Sequence, residues 1–226
     1  MSFLTKSPPP AQKTSHSRRD VLGLFAGAGA LALTAQFAPW SLGEAKAQTA
    51  AQQIADHFSS VKTMMGEFVQ FGPKGEQTGG KFFIERPGKI RFNYEPPSDF
   101  RVISDGKSVV LMNQKLKTAD LYSLSQTPLK LLLDERIDLS GGKVKDIREE
   151  SDLTTITLAD KSVFGNATIS MMFDPKTYEL RQWTVTDAQG KDTTVMIFNV
   201  QQGVTFDPGV FKIDYNRVNE MNQVQR

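Results

Sequence analysis

From Phe68 to Val200 the chain returns again and again to a period of two, with apolar residues on one parity and polar residues on the other. That rhythm confines it to antiparallel sheet with one buried face and one solvated face. The cleanest run sets Lys89, Arg91, Asn93 and Glu95 against Ile90, Phe92 and Tyr94, and Pro96-Pro97 ends it. Phe68 and Gln70 precede it, and Gly80 to Arg86 places Phe82 and Ile84 on one side. Arg101 to Ser104 and Ser108 to Met112 flank Asp105-Gly106, a tight hairpin signal. Further strands are predicted at Val144–Glu149, Leu153–Leu158, Ala167–Phe173, Leu180–Asp187 and Thr193–Val200, parted by turn residues at Ser151-Asp152, Asp174-Pro175 and Gln189-Gly190. With a last short strand in Phe206–Phe211 the count is ten or eleven, and the polar tail after Tyr215 is expected to fray.

Helical spacing occurs in two places. Ala51, Ile54, Ala55, Phe58, Val61, Met64 and Met65 predict one amphipathic helix that Gly66 ends. Thr127-Pro128-Leu129-Lys130-Leu131-Leu132-Leu133 predicts a short apolar helix, with Thr127 as cap and Pro128 in the first turn. So little helix cannot flatten over so many strands. The sheet must curl around it as a half-open antiparallel barrel, mainly β in an α+β arrangement, with helices in its mouth. Two interiors remain open: a fully packed core, or an apolar cavity lined by Phe58, Phe68, Phe82, Ile84, Ile90, Phe92 and Tyr94 that suits an acyl chain.

Catalysis finds few candidates. Beyond the first fifty residues there is one histidine, His57, on the polar flank of the first helix, and the chain holds no cysteine. No metal-ligand spacing, nucleophile elbow or phosphate loop is present, so no enzyme, cofactor or metal is expected.

The first fifty residues read as an export leader. Arg18-Arg19 stand before a Gly/Ala-rich apolar stretch, Val21 to Ala38, and Ala45-Lys46-Ala47 offers a small-residue cleavage site. Paired arginines resemble a twin-arginine signal, with an ordinary export signal or an uncleaved anchor as alternatives. A signal at 1–47 and one domain at 48–226 is the expected organisation, placed in the periplasm. Of 27 basic and 25 acidic residues, five (Lys6, Lys13, Arg18, Arg19, Lys46) and two (Asp20, Glu44) precede the cut, leaving 22 against 23 and a net charge of −1. The working domain therefore has no basic excess with which to hold nucleic acid. The missing cysteine also removes the attachment point for a lipid anchor, so a soluble monomer is expected.

Several segments together resemble one family. Val61-Lys-Thr-Met-Met-Gly-Glu-Phe-Val-Gln70, Gly80-Lys-Phe-Phe-Ile-Glu-Arg-Pro-Gly-Lys-Ile-Arg-Phe-Asn-Tyr-Glu-Pro-Pro97, Val102-Ile-Ser-Asp-Gly-Lys107 and Thr127-Pro-Leu are similar to the LolA family of periplasmic lipoprotein carriers. The resemblance implies an apolar cavity for the acyl chains of lipoproteins and a lid formed by Pro128, Leu129, Leu131, Leu132 and Leu133. It also implies cargo taken from an inner-membrane ABC transporter and passed to an outer-membrane receptor. By motif, Arg86 takes the part of the arginine that ties the lid shut. From the residues alone Arg86 has two readings: a strand-end charge reaching solvent, or an inward charge that needs lid carbonyls as partners. A related half-barrel that senses lipid or lipoprotein, in place of delivering it, is the alternative function.

Overall fold

The computed structural model describes residues 41–139 and 142–223. Arg18, Arg19 and the apolar stretch behind them lie outside the described residues. Helix α1 (Ser41–Ser60) is followed by six strands, β1 (Thr63–Phe71), β2 (Gln77–Glu85), β3 (Lys89–Tyr94), β4 (Phe100–Asp105), β5 (Ser108–Asn113) and β6 (Thr118–Ser123). A 3-10 turn (Leu124–Gln126) and α2 (Leu129–Leu132) interrupt the sheet. It resumes with β7 (Val144–Glu149), β8 (Thr154–Ala159), the short α3 (Lys161–Phe164), β9 (Thr168–Phe173), β10 (Leu180–Thr186) and β11 (Asp192–Gln202), and α4 (Tyr215–Gln223) follows. Ala47, the expected cleavage position, falls within α1.

All eleven strands form one antiparallel sheet in the order β6-β5-β4-β3-β2-β1-β11-β10-β9-β8-β7. Within β1–β6 and within β7–β11 each strand pairs with its chain neighbour, and β1 joins β11 at the centre, so two hairpin series meet there. Strands β6 and β7 are the two edges and the sheet is not closed. The edges are protected differently: β7 carries Lys145, Asp146, Arg148 and Glu149, whereas α4 packs against β6.

Period two decides the faces. Met64, Phe68, Phe82, Ile84, Ile90 and Phe92 meet Ala51, Ile54, Ala55 and Phe58 of α1 in the main cluster, with Trp183 and the lid leucines. The opposite face is covered at β4–β6, where Ile103, Val110 and Ala119 form a second, smaller cluster with Ile213, Val218 and Met221, and at β2–β3, where Phe83 meets Phe206 and Arg91 donates to the Val210 carbonyl.

Four expectations are corrected. The first helix ends at Ser60, and Met64 and Met65, which fit its spacing, belong to β1. They pair there with Ile84 and Phe83, because a central strand satisfies its backbone on both sides. Gly66 does not stop a helix. It lies inside β1, where a Cβ would stand 2.8 Å from the Phe198 carbonyl oxygen and 2.9 Å from the Phe82 ring. Phe206–Phe211 forms turns and no strand; Phe206 and Phe211 stack on each other at 5.4 Å. The eleventh strand is instead β6, which the polar sequence around Asp120 had masked, and the tail after Tyr215 is helix α4, held by Val218 and Met221 in the second cluster.

Candidate functional site

Strand β2 ends at Glu85, and the next residue continues its inward parity. Arg86 is therefore delivered into the main cluster, where it is 5% exposed. Its Nη1 donates to the Leu132 carbonyl at 2.5 Å and to the Asp134 carbonyl at 3.2 Å. The guanidinium lies over the Phe58 ring of α1, 4.3 Å from its centroid. Nε and Nη2 have no hydrogen-bond partner among the described residues. Burial pulls the guanidinium down to a pKa of about 10, with the nearby Asp134 opposing that fall. A charge in this position persists because two lid carbonyls and one aromatic face receive it. The solvent-reaching alternative for Arg86 does not occur.

The lid is fastened at three places. Thr127 does not cap α2 through its side chain; its hydroxyl donates backwards to the Leu124 carbonyl at 3.0 Å. Leu131, Leu132 and Leu133 are buried, Leu129 is partly buried against the same cluster, and Pro128 starts the turn with φ −58°. The Gly88 amide donates to the Leu133 carbonyl at 2.9 Å, and the buried Ser104 hydroxyl donates to the Gly88 carbonyl at 2.7 Å. Gly88 has φ +79°, and a Cβ there would sit 2.8 Å from the Gly106 Cα. The strap that follows the lid, up to Leu139, is pinned to α1. Ser59 Oγ accepts from the Ile137 amide at 3.0 Å, Gln52 accepts from the Leu139 amide at 3.0 Å and donates to the Ile137 carbonyl at 3.1 Å, and Arg136 pairs with Asp56 at 2.8 Å.

The sequence brings forward Arg86, the leucines and the strand residues, but not Gly88, Ser104, Ser59 or Gln52. Gly88 does carry a signal, a glycine directly after a proline at a hairpin. The other three act through backbone groups of segments distant in the chain, which no local pattern reveals.

Phe58, Phe68, Phe82, Ile84, Ile90 and Phe92 are buried together, and Tyr94 is partly buried at the edge of the same cluster. The rings form a chain: Phe68 meets Phe92 edge-on at 4.8 Å and Tyr94 edge-on at 5.0 Å, and Phe92 lies tilted to Trp183 at 6.1 Å. In this state the interior is filled by side chains, the lid leucines among them. A cleft of about 190 Å³ opens beside Phe58, bordered by His57, Met64, Tyr178, Leu180 and Ile197. His57 packs edge-on against Tyr178 at 5.8 Å, and no group of metal-ligating side chains occurs among the described residues.

An open sheet wrapped on one helix and strapped by a leucine turn defines a half-barrel whose apolar interior is covered by a short helical lid. The family described as outer membrane lipoprotein carrier protein LolA matches residues 59–214, and the chain belongs to it. It is 25% identical over 182 residues to the outer-membrane lipoprotein carrier protein of Methylococcus capsulatus, covering 76% of this chain and 87% of that one. With the carrier protein of Chromobacterium violaceum it shares 25% over 170 residues, 72% and 82% of the two chains. Among solved structures it is similar to a LolA-superfamily protein of Nitrosomonas europaea, with a TM-score of 0.42, 11% identity, and 75% and 98% coverage.

Proposed function

We propose that the domain is a periplasmic carrier that takes the acyl chains of lipoproteins into the space now occupied by the lid leucines, and moves them from the inner to the outer membrane. The observation that carries this reading is the Arg86 tie. A buried guanidinium bonded to one carbonyl at the end of a four-residue helix and to another just beyond it is a poor structural staple but a good latch, because it leaves two nitrogens unused and costs burial.

The energetics favour reversibility. Leu131, Leu132 and Leu133 contribute roughly 1.5–3 kcal/mol each when buried. A sixteen-carbon chain contributes on the order of 12 kcal/mol, at about 0.8 kcal/mol per methylene. Lid closure therefore competes with cargo for the same interior, and the difference is small enough for a receptor to reverse it. Direction comes from the partners: an inner-membrane ABC transporter that loads and an outer-membrane receptor that unloads. The leader with Arg18-Arg19, removed near Ala47, brings the domain to the periplasm as a monomer.

Depletion in cells tests the proposal. Outer-membrane lipoproteins should accumulate in the inner membrane, and the protein purified from the periplasm should carry acylated protein by native mass spectrometry. Normal lipoprotein sorting after depletion, with a stress response as the first change, would favour the sensing alternative.

A further inference from the structure

The helix-covered face of the sheet extends beyond what the helices cover. On β4, β5 and β6 the residues of that parity include Phe100, Leu111 and Tyr122, which are 46%, 36% and 50% exposed. Val102 and Val109, directly paired with Leu111 and Tyr122, join the main cluster, which fixes the face. Phe100, Leu111 and Tyr122 thus form a diagonal apolar strip in solvent.

The strip is continuous with the interior. The Phe100 ring is 6.3 Å from Tyr94, Tyr94 is 5.0 Å from Phe68, and Phe68 is 4.8 Å from Phe92. One polar bond crosses this path: the Tyr94 hydroxyl donates to Gln70 Oε1 at 2.6 Å. Tyr94 stands at the far end of β3 from Lys89, about 17 Å from the lid end by strand rise. The Phe100 end of the strip is therefore distinct from the Arg86 latch, whereas Tyr122, in one cross-strand row with Val109, Ser104 and Ile90, lies level with the lid end of the sheet.

We propose that Phe100, Leu111 and Tyr122 are the threshold where an acyl chain first lands, and that the Tyr94–Gln70 hydrogen bond is the gate between threshold and interior. The inference rests on the carrier reading above. The occupant is a slender apolar chain, because polar Asn113 lies opposite Phe100 and Asp120 opposite Leu111, leaving a lane about one side chain wide. The three side chains expose roughly 250 Å², about a third of what each partner of a standard protein interface buries.

The test uses the full chain carrying Trp40→Phe, so that Trp183 is the sole indole. A dibrominated long-chain fatty acid is mixed in by stopped flow and its arrival read as quenching of Trp183, which lies 6.1 Å from Phe92. Phe100→Glu and, independently, Leu111→Glu should slow quenching about tenfold with unchanged thermal midpoints. Tyr94→Phe should speed it about fivefold, the loss of one hydrogen bond. Parent-like rates in all three variants overturn the threshold while the parent's own quenching preserves the carrier reading. A parent that shows no quenching overturns both. A concentration-dependent dimer that Phe100→Glu dissolves would assign the strip to a second copy and overturn the proposal.

Discussion

Replacing Arg86 with leucine separates a latch from a keystone. By the roughly 1.4 kcal/mol that each pKa unit represents, a guanidinium held at about 10 loses roughly 3 kcal/mol to burial. Against this stand two charge-assisted hydrogen bonds from one nitrogen, together about 2–3 kcal/mol, and stacking on Phe58, about 2 kcal/mol once desolvated. The net is about 1–2 kcal/mol in favour of arginine. Leucine removes the burial cost and fills part of the space, so Arg86→Leu should lower the thermal midpoint by only about 3–6 °C for a domain of this size. Its effect on the lid should be larger than that figure suggests, because all of the loss falls on one short segment. Amide exchange at Leu131, Leu133 and Gly88, whose bonds lie within or against the lid, should rise about tenfold or more, while Ile84 and Phe92 in the central strands keep their protection. Acyl-probe retention should fall with it or become one-way. A loss above about 4 kcal/mol with parallel exchange everywhere would make Arg86 a fold keystone, and unchanged lid exchange would refute the latch.

Gly88→Ala should cost about 2–4 kcal/mol in urea unfolding, since φ +79° and the 2.8 Å approach to Gly106 both oppose a Cβ; a loss under about 1 kcal/mol would refute the tight tie. Gln52→Ala withdraws a donor and an acceptor from the strap, and should cost about 2 kcal/mol with faster exchange at Leu139 before any strand amide. Burial pushes the Tyr94 phenol up to about 12, so the folded state holds its proton more tightly than the unfolded chain does. Its contribution is complete below pH 10 and is lost as pH rises through about 12. The stability difference between the parent and Tyr94→Phe should therefore shift by roughly 2 kcal/mol toward the variant between pH 10 and 12, and a constant difference would refute the burial.

Sheet residues were legible because burial on one face is written as period two, and no tertiary contact is needed to read Ile90, Phe92 and Tyr94 as one side of a strand. The errors arose where two periods overlap. Met64 and Met65 continue the helical spacing of Val61, yet Met64 also shares strand parity with Phe68, and only the pairing of β1 with both β2 and β11 decides between the two. Strand β6 was hidden because Asp120 interrupts its apolar set, and α4 because its buried side, Val218 and Met221, has only two apolar residues in nine. Arg86 was readable from parity and resemblance, but its partners are main-chain carbonyls 46 and 48 residues away, whose identity the chain does not encode locally.

The two polar ties differ in kind, and the difference assigns them different work. At Arg86 a charge meets carbonyls, so opening the lid exposes a guanidinium that water solvates well, which offsets the exposure of three leucines. At Tyr94 a neutral hydroxyl meets a neutral amide, so opening gains little from solvation beyond replacing one hydrogen bond. On the proposed carrier reading, the lid is thus the larger element with a compensated cost, suited to setting how firmly cargo is held. The Tyr94 gate is the smaller element, suited to setting how fast a chain arrives. Combining Arg86→Leu with Tyr94→Phe should then give additive changes, the first mainly in release rate and the second mainly in uptake rate. Strong non-additivity in either rate would mean that the two ends of β3 move as one element.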